Sequence, residues 1–126
     1  MTMCLDSWAV LRWLEGAEPA ATRVDDALAE RPCMSWINAG EVYYIVTRLA
    51  GETEAETVIN DLRLSLRLDP VLPERVIEAA SIKARYPMAY ADAFAVTTAM
   101  AYDVTLLTGD PEIIEAGGPW RVEDLR

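Results

Sequence analysis

The sequence predicts an α/β sandwich built on a mostly parallel sheet, and three observations lead there. Short apolar runs of strand type alternate with longer segments of helical spacing along the whole chain. Parallel strands need crossover connections, and the intervening helical segments supply them. Finally, the run at 1–5 and the run Val104–Leu107 each end in a turn that carries an aspartate, where an open parallel sheet gathers its functional side chains.

Taken in order, Met1–Leu5 is an apolar strand ended by Asp6-Ser7, and Trp8–Glu15 shows helical spacing with Gly16 as its stop. Pro19 suits the first position of a second helix, which Ala20–Arg31 continues up to Pro32. Cys33–Ile37 reads as a buried strand. Asn38 and Glu41 then stand at the spacing of a capping box before the helical pattern Val42, Ile45, Val46, Leu49, which closes on Gly51. Glu52–Ser65 predicts a helix with Val58, Ile59, Leu62 and Leu66 on one face. Leu66–Val71, interrupted by Pro70, predicts a short edge strand.

A helix over Pro73–Tyr86, with Val76, Ile77, Ala80 and Ala84 inward, precedes the stretch on which the chain turns, Tyr86–Asp110. There a helix carrying Asp92 in its first turn leads into the strand Val104–Leu107 and the turn Thr108-Gly109-Asp110. Asp110-Pro111-Glu112 starts a short helix that ends at Gly117-Gly118, and Trp120–Leu125 is the last strand.

At 126 residues the chain forms one domain, spanning 1–126, and buries roughly two-thirds of its unfolded surface. A hydrophobic fraction of 52%, with four Trp and five Tyr, argues against disorder. No basic segment followed by an apolar run opens the chain, and no window reaches the ~20 apolar residues of a membrane span, so a cytoplasmic protein is expected. Cys4 and Cys33 sit inside apolar runs and read as small buried reduced thiols. The net charge of −10 disfavours an extended nucleic-acid-coating surface and suits a basic protein segment or a cation as partner. The absence of histidine removes imidazole bases, the usual zinc sites and the Ser-His-Asp arrangement.

Four acids stand at element boundaries, and each alone has a capping explanation. Asp6 and Asp110 fit N-caps, Glu41 a capping box, and Asp92 a favourable place near a helix dipole. Together they change the reading, because all four can converge on one end of one sheet. Carboxylates so crowded repel one another unless cations offset the charge. With carboxylate and hydroxyl oxygens on offer, Mg²⁺ or Mn²⁺ is the matching ion, and such a cluster suits phosphodiester hydrolysis.

Asp6-Ser7 after the first strand, Glu41, Tyr90-Ala91-Asp92-Ala93 and Leu107-Thr108-Gly109-Asp110 together resemble the PIN-domain ribonucleases. The segments YADAFAV and LLTGDP are most similar to the VapC-type toxins of bacterial and archaeal toxin-antitoxin pairs. The resemblance spans essentially the whole chain. It implies a five-stranded parallel sheet, Mg²⁺- or Mn²⁺-dependent endoribonuclease activity, homodimerisation and inhibition by a cognate antitoxin. It also implies Asp6, Glu41 and Asp92 as principal metal ligands, Asp110 completing the quartet, and Ser7 and Thr108 as hydroxyl neighbours. On that basis the metal would activate water for in-line attack at phosphorus, leaving a 5′-phosphate and a 3′-hydroxyl.

Arg12, Trp13, Tyr43, Tyr44, Lys83 and Arg85 are candidate RNA contacts, against an ordinary role as solvated tips and half-buried aromatics. The alternatives are a non-catalytic PIN-like binding or scaffold subunit and a receiver-like Mg²⁺-binding signalling domain. The receiver pattern expects paired acids after the first strand and a lysine after the last, whereas the only lysine is Lys83. A haloacid-type hydrolase fits less well, because Asp6-Ser7-Trp8 lacks its second aspartate.

Overall fold

A computed structural model describes residues 3–126; Met1 and Thr2, part of the predicted first strand, lie outside the described residues. The elements follow in the order β1 (Met3–Leu5), α1 (Ser7–Glu15), α2 (Ala20–Leu28), β2 (Cys33–Ser35), α3 (Trp36–Ala50) and α4 (Glu52–Ser65). They continue with β3 (Arg67–Asp69), α5 (Pro73–Arg85), α6 (Tyr90–Ala101), β4 (Thr105–Thr108), α7 (Pro111–Glu115) and β5 (Val122–Asp124). The five strands form one sheet in the order β3-β2-β1-β4-β5, and every pairing is parallel.

Side chains alternate across the sheet, so each central strand feeds two cores. Leu5, Met34 and Leu107 face α1 to α4, packing with Val10, Val24, Val42 and Leu62. Cys4, Cys33 and Leu106 face the other way, against α5, α6 and α7, where Ile82, Phe94, Val96 and Ile113 close the layer. Burial on both faces explains why these strands read as continuous apolar runs. Each fully buried Leu contributes about 1.5–3 kcal/mol to this frame. Cys4 and Cys33 are free thiols opposite each other in register, and the Cys33 neighbour together with burial holds the Cys4 pKa well above its usual value.

Several local expectations are corrected. The second strand stops at Ser35, whose hydroxyl accepts from the Ile37 amide at 3.1 Å and caps α3, so Trp36 and Ile37 are helical. Asn38 and Glu41 therefore form no capping box, since the helix begins before both. Helix α2 ends at Leu28, short of Arg31, and Arg31 takes a positive φ of 49°. Leu49 is exposed, as are Ile77, Ala80 and Ala84 of α5. The inward face of α5 is instead Arg75, Val76, Ala79 and Ile82. Asp69, 3% exposed at the end of β3, needs a charged partner; Arg75 Nε supplies it at 3.1 Å and turns the helix.

Among the described residues, no helix is long and apolar enough to cross a membrane. Because Ser35 both ends β2 and starts α3, Ser35→Ala is expected to cost about 1 kcal/mol, read as a lower urea midpoint at unchanged slope.

Candidate active site

From β1 the chain builds outward to β2 and β3, then crosses back to place β4 on the other side of β1. The strand order reverses between β1 and β4, and such a reversal opens a crevice beyond the carboxyl ends of the two strands. Leu5 and Leu107 are register partners, so the next residues, Asp6 and Thr108, emerge side by side.

Asp6 is 3% exposed. Its Oδ1 accepts from the Ala9 amide at 2.8 Å, capping α1, while its Oδ2 accepts from the Thr108 hydroxyl. Thr108 Oγ1 in turn accepts from the Asp110 amide at 3.0 Å. Ser7 Oγ donates to Glu41 Oε1 at 2.9 Å, and Asn38 Nδ2 donates to the same oxygen at 3.1 Å. Asp110 caps α7 through its Oδ1, which accepts from the Glu112 amide at 2.9 Å. Asp92, in the first turn of α6, completes the group: carboxylate oxygens of Asp92, Asp110 and Glu112 lie within 4.8 Å of one another.

Asp92, Asp110 and Glu112 thus form one cluster, while Thr108 ties Asp6 to the Asp110 turn and Ser7 ties Glu41 to the start of α1, near enough for the charges of Asp110 and Glu41 to act on Asp6. Glu112 is a fifth acid that sequence reasoning missed. Its signal was present in Asp110-Pro111-Glu112, where a first-turn acid follows an N-cap, but the dipole explained it and nothing local pointed toward Asp92. Glu112 Oε2 also accepts from the Ala89 amide at 3.1 Å, tying α7 to the start of α6.

The electrostatics follow from burial and from this crowding. Burial pushes Asp6 up to about 7; the Thr108 and Ala9 donors oppose the rise, and the charges of Asp110 and Glu41 add to it. Burial, then the charge of Asp110 and the nearby Glu112, raises Asp92 to about 8. Among the described residues, none of the ion pairs involves these five acids. Carboxylate oxygens without a basic partner, flanked by hydroxyls and free of His or Cys, fit a hard divalent cation.

The family model for the PIN domain matches residues 3–119. The chain belongs to the PIN-domain family. Its fold is shared by solved structures of low sequence identity. A chain of DNA-bound VapBC from Salmonella typhimurium is 17% identical with a TM-score of 0.79, covering 100% of this chain and 99% of that one. A toxin-antitoxin complex from Klebsiella pneumoniae gives 17% identity and a TM-score of 0.75, over 99% and 98%. VapC20 of Mycobacterium tuberculosis, described as a Sarcin-Ricin loop cleaving toxin, gives 18% and 0.75, over 92% and 95%. No curated protein matches the chain in sequence.

Four of the six predicted RNA contacts of this PIN domain, Arg12, Trp13, Tyr43 and Lys83, have local partners. Trp13 Nε1 donates to Asp25, Tyr43 to Glu56, and Lys83 Nζ to the Met88 carbonyl at 2.7 Å. Arg12 pairs with Glu15 and lies over the Trp8 ring at 4.9 Å. That ring packs on Gly109: a Cβ added there would stand 2.2 Å from the indole. The turn between Thr108 and Asp110 therefore requires glycine for its close approach.

Two outcomes follow from this packing and charge. Gly109→Ala should displace either Trp8 or the turn, costing about 1–3 kcal/mol by the scale of overpacked sites, measurable by thermal melting. Asp6 and Asp92 ionise near ~3.9 in the unfolded chain but at about 7 and about 8 in the fold, so the folded state holds more protons between these values. Their contribution to stability is present at low pH and lost as pH rises through 7 to 8. The melting temperature of metal-free protein should fall from about pH 5 to about pH 8.5, and Mg²⁺ or Mn²⁺ should reverse the fall.

Proposed function

We propose that this PIN domain is a divalent-metal-dependent endoribonuclease and the toxin of a toxin-antitoxin pair. The observation that carries the reading is the gathering of Asp6, Glu41, Asp92 and Asp110 beyond the ends of β1 and β4, where burial first and neighbouring carboxylates second drive Asp6 and Asp92 toward protonation. Membership of the PIN family and a fold shared with chains from VapBC complexes support it.

Asp6, Glu41, Asp92 and Asp110 would hold Mg²⁺ or Mn²⁺, with Glu112 close to Asp92 and Asp110. When bound, the ion supplies an activated water and neutralises charge on the phosphodiester. The chain's own part is to aim the carboxylates. Thr108 fixes one oxygen of Asp6, the Ala9 amide fixes the other, and Ser7 and Asn38 hold Glu41 by Oε1. Burial of Asp6 excludes water from its inner side, which strengthens its bonds to Thr108 and Ala9. Products would carry a 5′-phosphate and a 3′-hydroxyl.

RNA, with little basic surface to meet it, would be held mainly at the cation. A cognate antitoxin, homodimerisation and a cytoplasmic setting belong to the same proposal.

Incubation of purified protein with total RNA tests it. Cleavage is expected with Mn²⁺ or Mg²⁺ and none with chelator. Asp92→Asn, which removes a charge but little volume, should slow cleavage about a hundredfold or more while the circular dichroism spectrum is unchanged. Full cleavage by that variant, or cleavage that persists in chelator, contradicts the assignment. Failure of Mg²⁺ and Mn²⁺ to raise the melting temperature would favour a non-catalytic scaffold.

A further inference from the structure

Asn38 is 1% exposed, yet it neither caps its helix nor packs as an apolar side chain. It lies one turn before Glu41 on α3, and the two share a helix face. Its Nδ2 uses both protons, one on Glu41 Oε1 at 3.1 Å and one on the Ala91 carbonyl at 3.0 Å. Ala91 immediately precedes Asp92. One planar amide therefore spans the two helices that carry Glu41 and Asp92. The orientation is fixed, because rotating the amide would aim its oxygen at a carboxylate and a carbonyl, both acceptors.

The arrangement has a cost that local structure does not explain. Asn38 Oδ1 is buried without a hydrogen-bond partner, one of two such side-chain atoms among the described residues. Ser35 already caps α3, so an apolar side chain would serve the helix equally well.

We propose that Asn38 is a positioning residue: its amide holds the Glu41 carboxylate in a fixed relation to the helix that presents Asp92. The inference rests on the metal-dependent reading above and deepens it. Ser7 and Asn38 both donate to Oε1, so the carboxylate cannot rotate without breaking two bonds, and α3 cannot slide along α6 without breaking the bond to Ala91.

The test is Mn²⁺ affinity by titration calorimetry, with RNA cleavage in parallel, for wild type, Asn38→Ala, Glu41→Ala and the double variant. Asn38→Ala is expected to weaken Mn²⁺ about tenfold or more, the scale on which partners behind metal ligands act. It should lower kcat with little change in KM for RNA. In the Glu41→Ala background the same substitution should change affinity by less than about twofold, because the oxygen it positions is gone. Wild-type affinity in folded Asn38→Ala, or an equal loss in both backgrounds, overturns the proposal.

Should Asn38→Ala not fold, the side-chain amide of Asn38 is followed by NMR in wild type during Mg²⁺ titration. Its resonances should shift and saturate with the ion; no shift at saturation overturns the proposal. If wild type binds neither Mn²⁺ nor Mg²⁺, the nuclease reading itself fails and this inference with it. Normal wild-type binding with an indifferent Asn38 removes this inference alone.

Discussion

Mutual repulsion among carboxylates is the constraint on which the rest of this molecule turns. Asp6, Glu41, Asp92 and the neighbours Asp110 and Glu112 come from four separate places in the chain and gather where the sheet order reverses. Left to water, such groups would move apart. They are held by a parallel sheet buried on both faces, whose cost of deformation exceeds what their repulsion can recover.

Capping and site chemistry are one arrangement here, not competing accounts. Asp6 caps α1, Asp110 caps α7, and Asp92 and Glu112 lie in the first turns of α6 and α7. These four acids thus sit at the positive ends of helix dipoles, which offset part of the repulsion and aim the carboxylates. Burial first, and then the repulsion that the dipoles do not offset, raises Asp6 and Asp92, and a divalent cation is the counter-charge that such oxygens accept.

Neutral donors then set the orientation of the acids. Thr108 on Asp6, and Ser7 with Asn38 on Glu41, bind carboxylate oxygens without adding positive charge, so the group stays able to take a cation. Trp8 closes the same corner by packing on Gly109, which leaves the turn that bears Asp110 little room to move.

Element order, the parallel sheet and the acids Asp6, Asp92 and Asp110 were legible in the sequence because their signals are local: apolar runs, prolines at helix starts and aspartates at boundaries. Glu41 was legible as well, although for the wrong local reason, since Ser35 and not Asn38 begins its helix. Tertiary structure alone decided that Glu112 faces Asp92, that Asn38 bridges α3 and α6, and that Arg75 turns α5 toward Asp69. Each of these depends on a partner far away in the chain. Spacing along one segment records which face of a helix is apolar, but not which charged or amide group waits on the element packed against it.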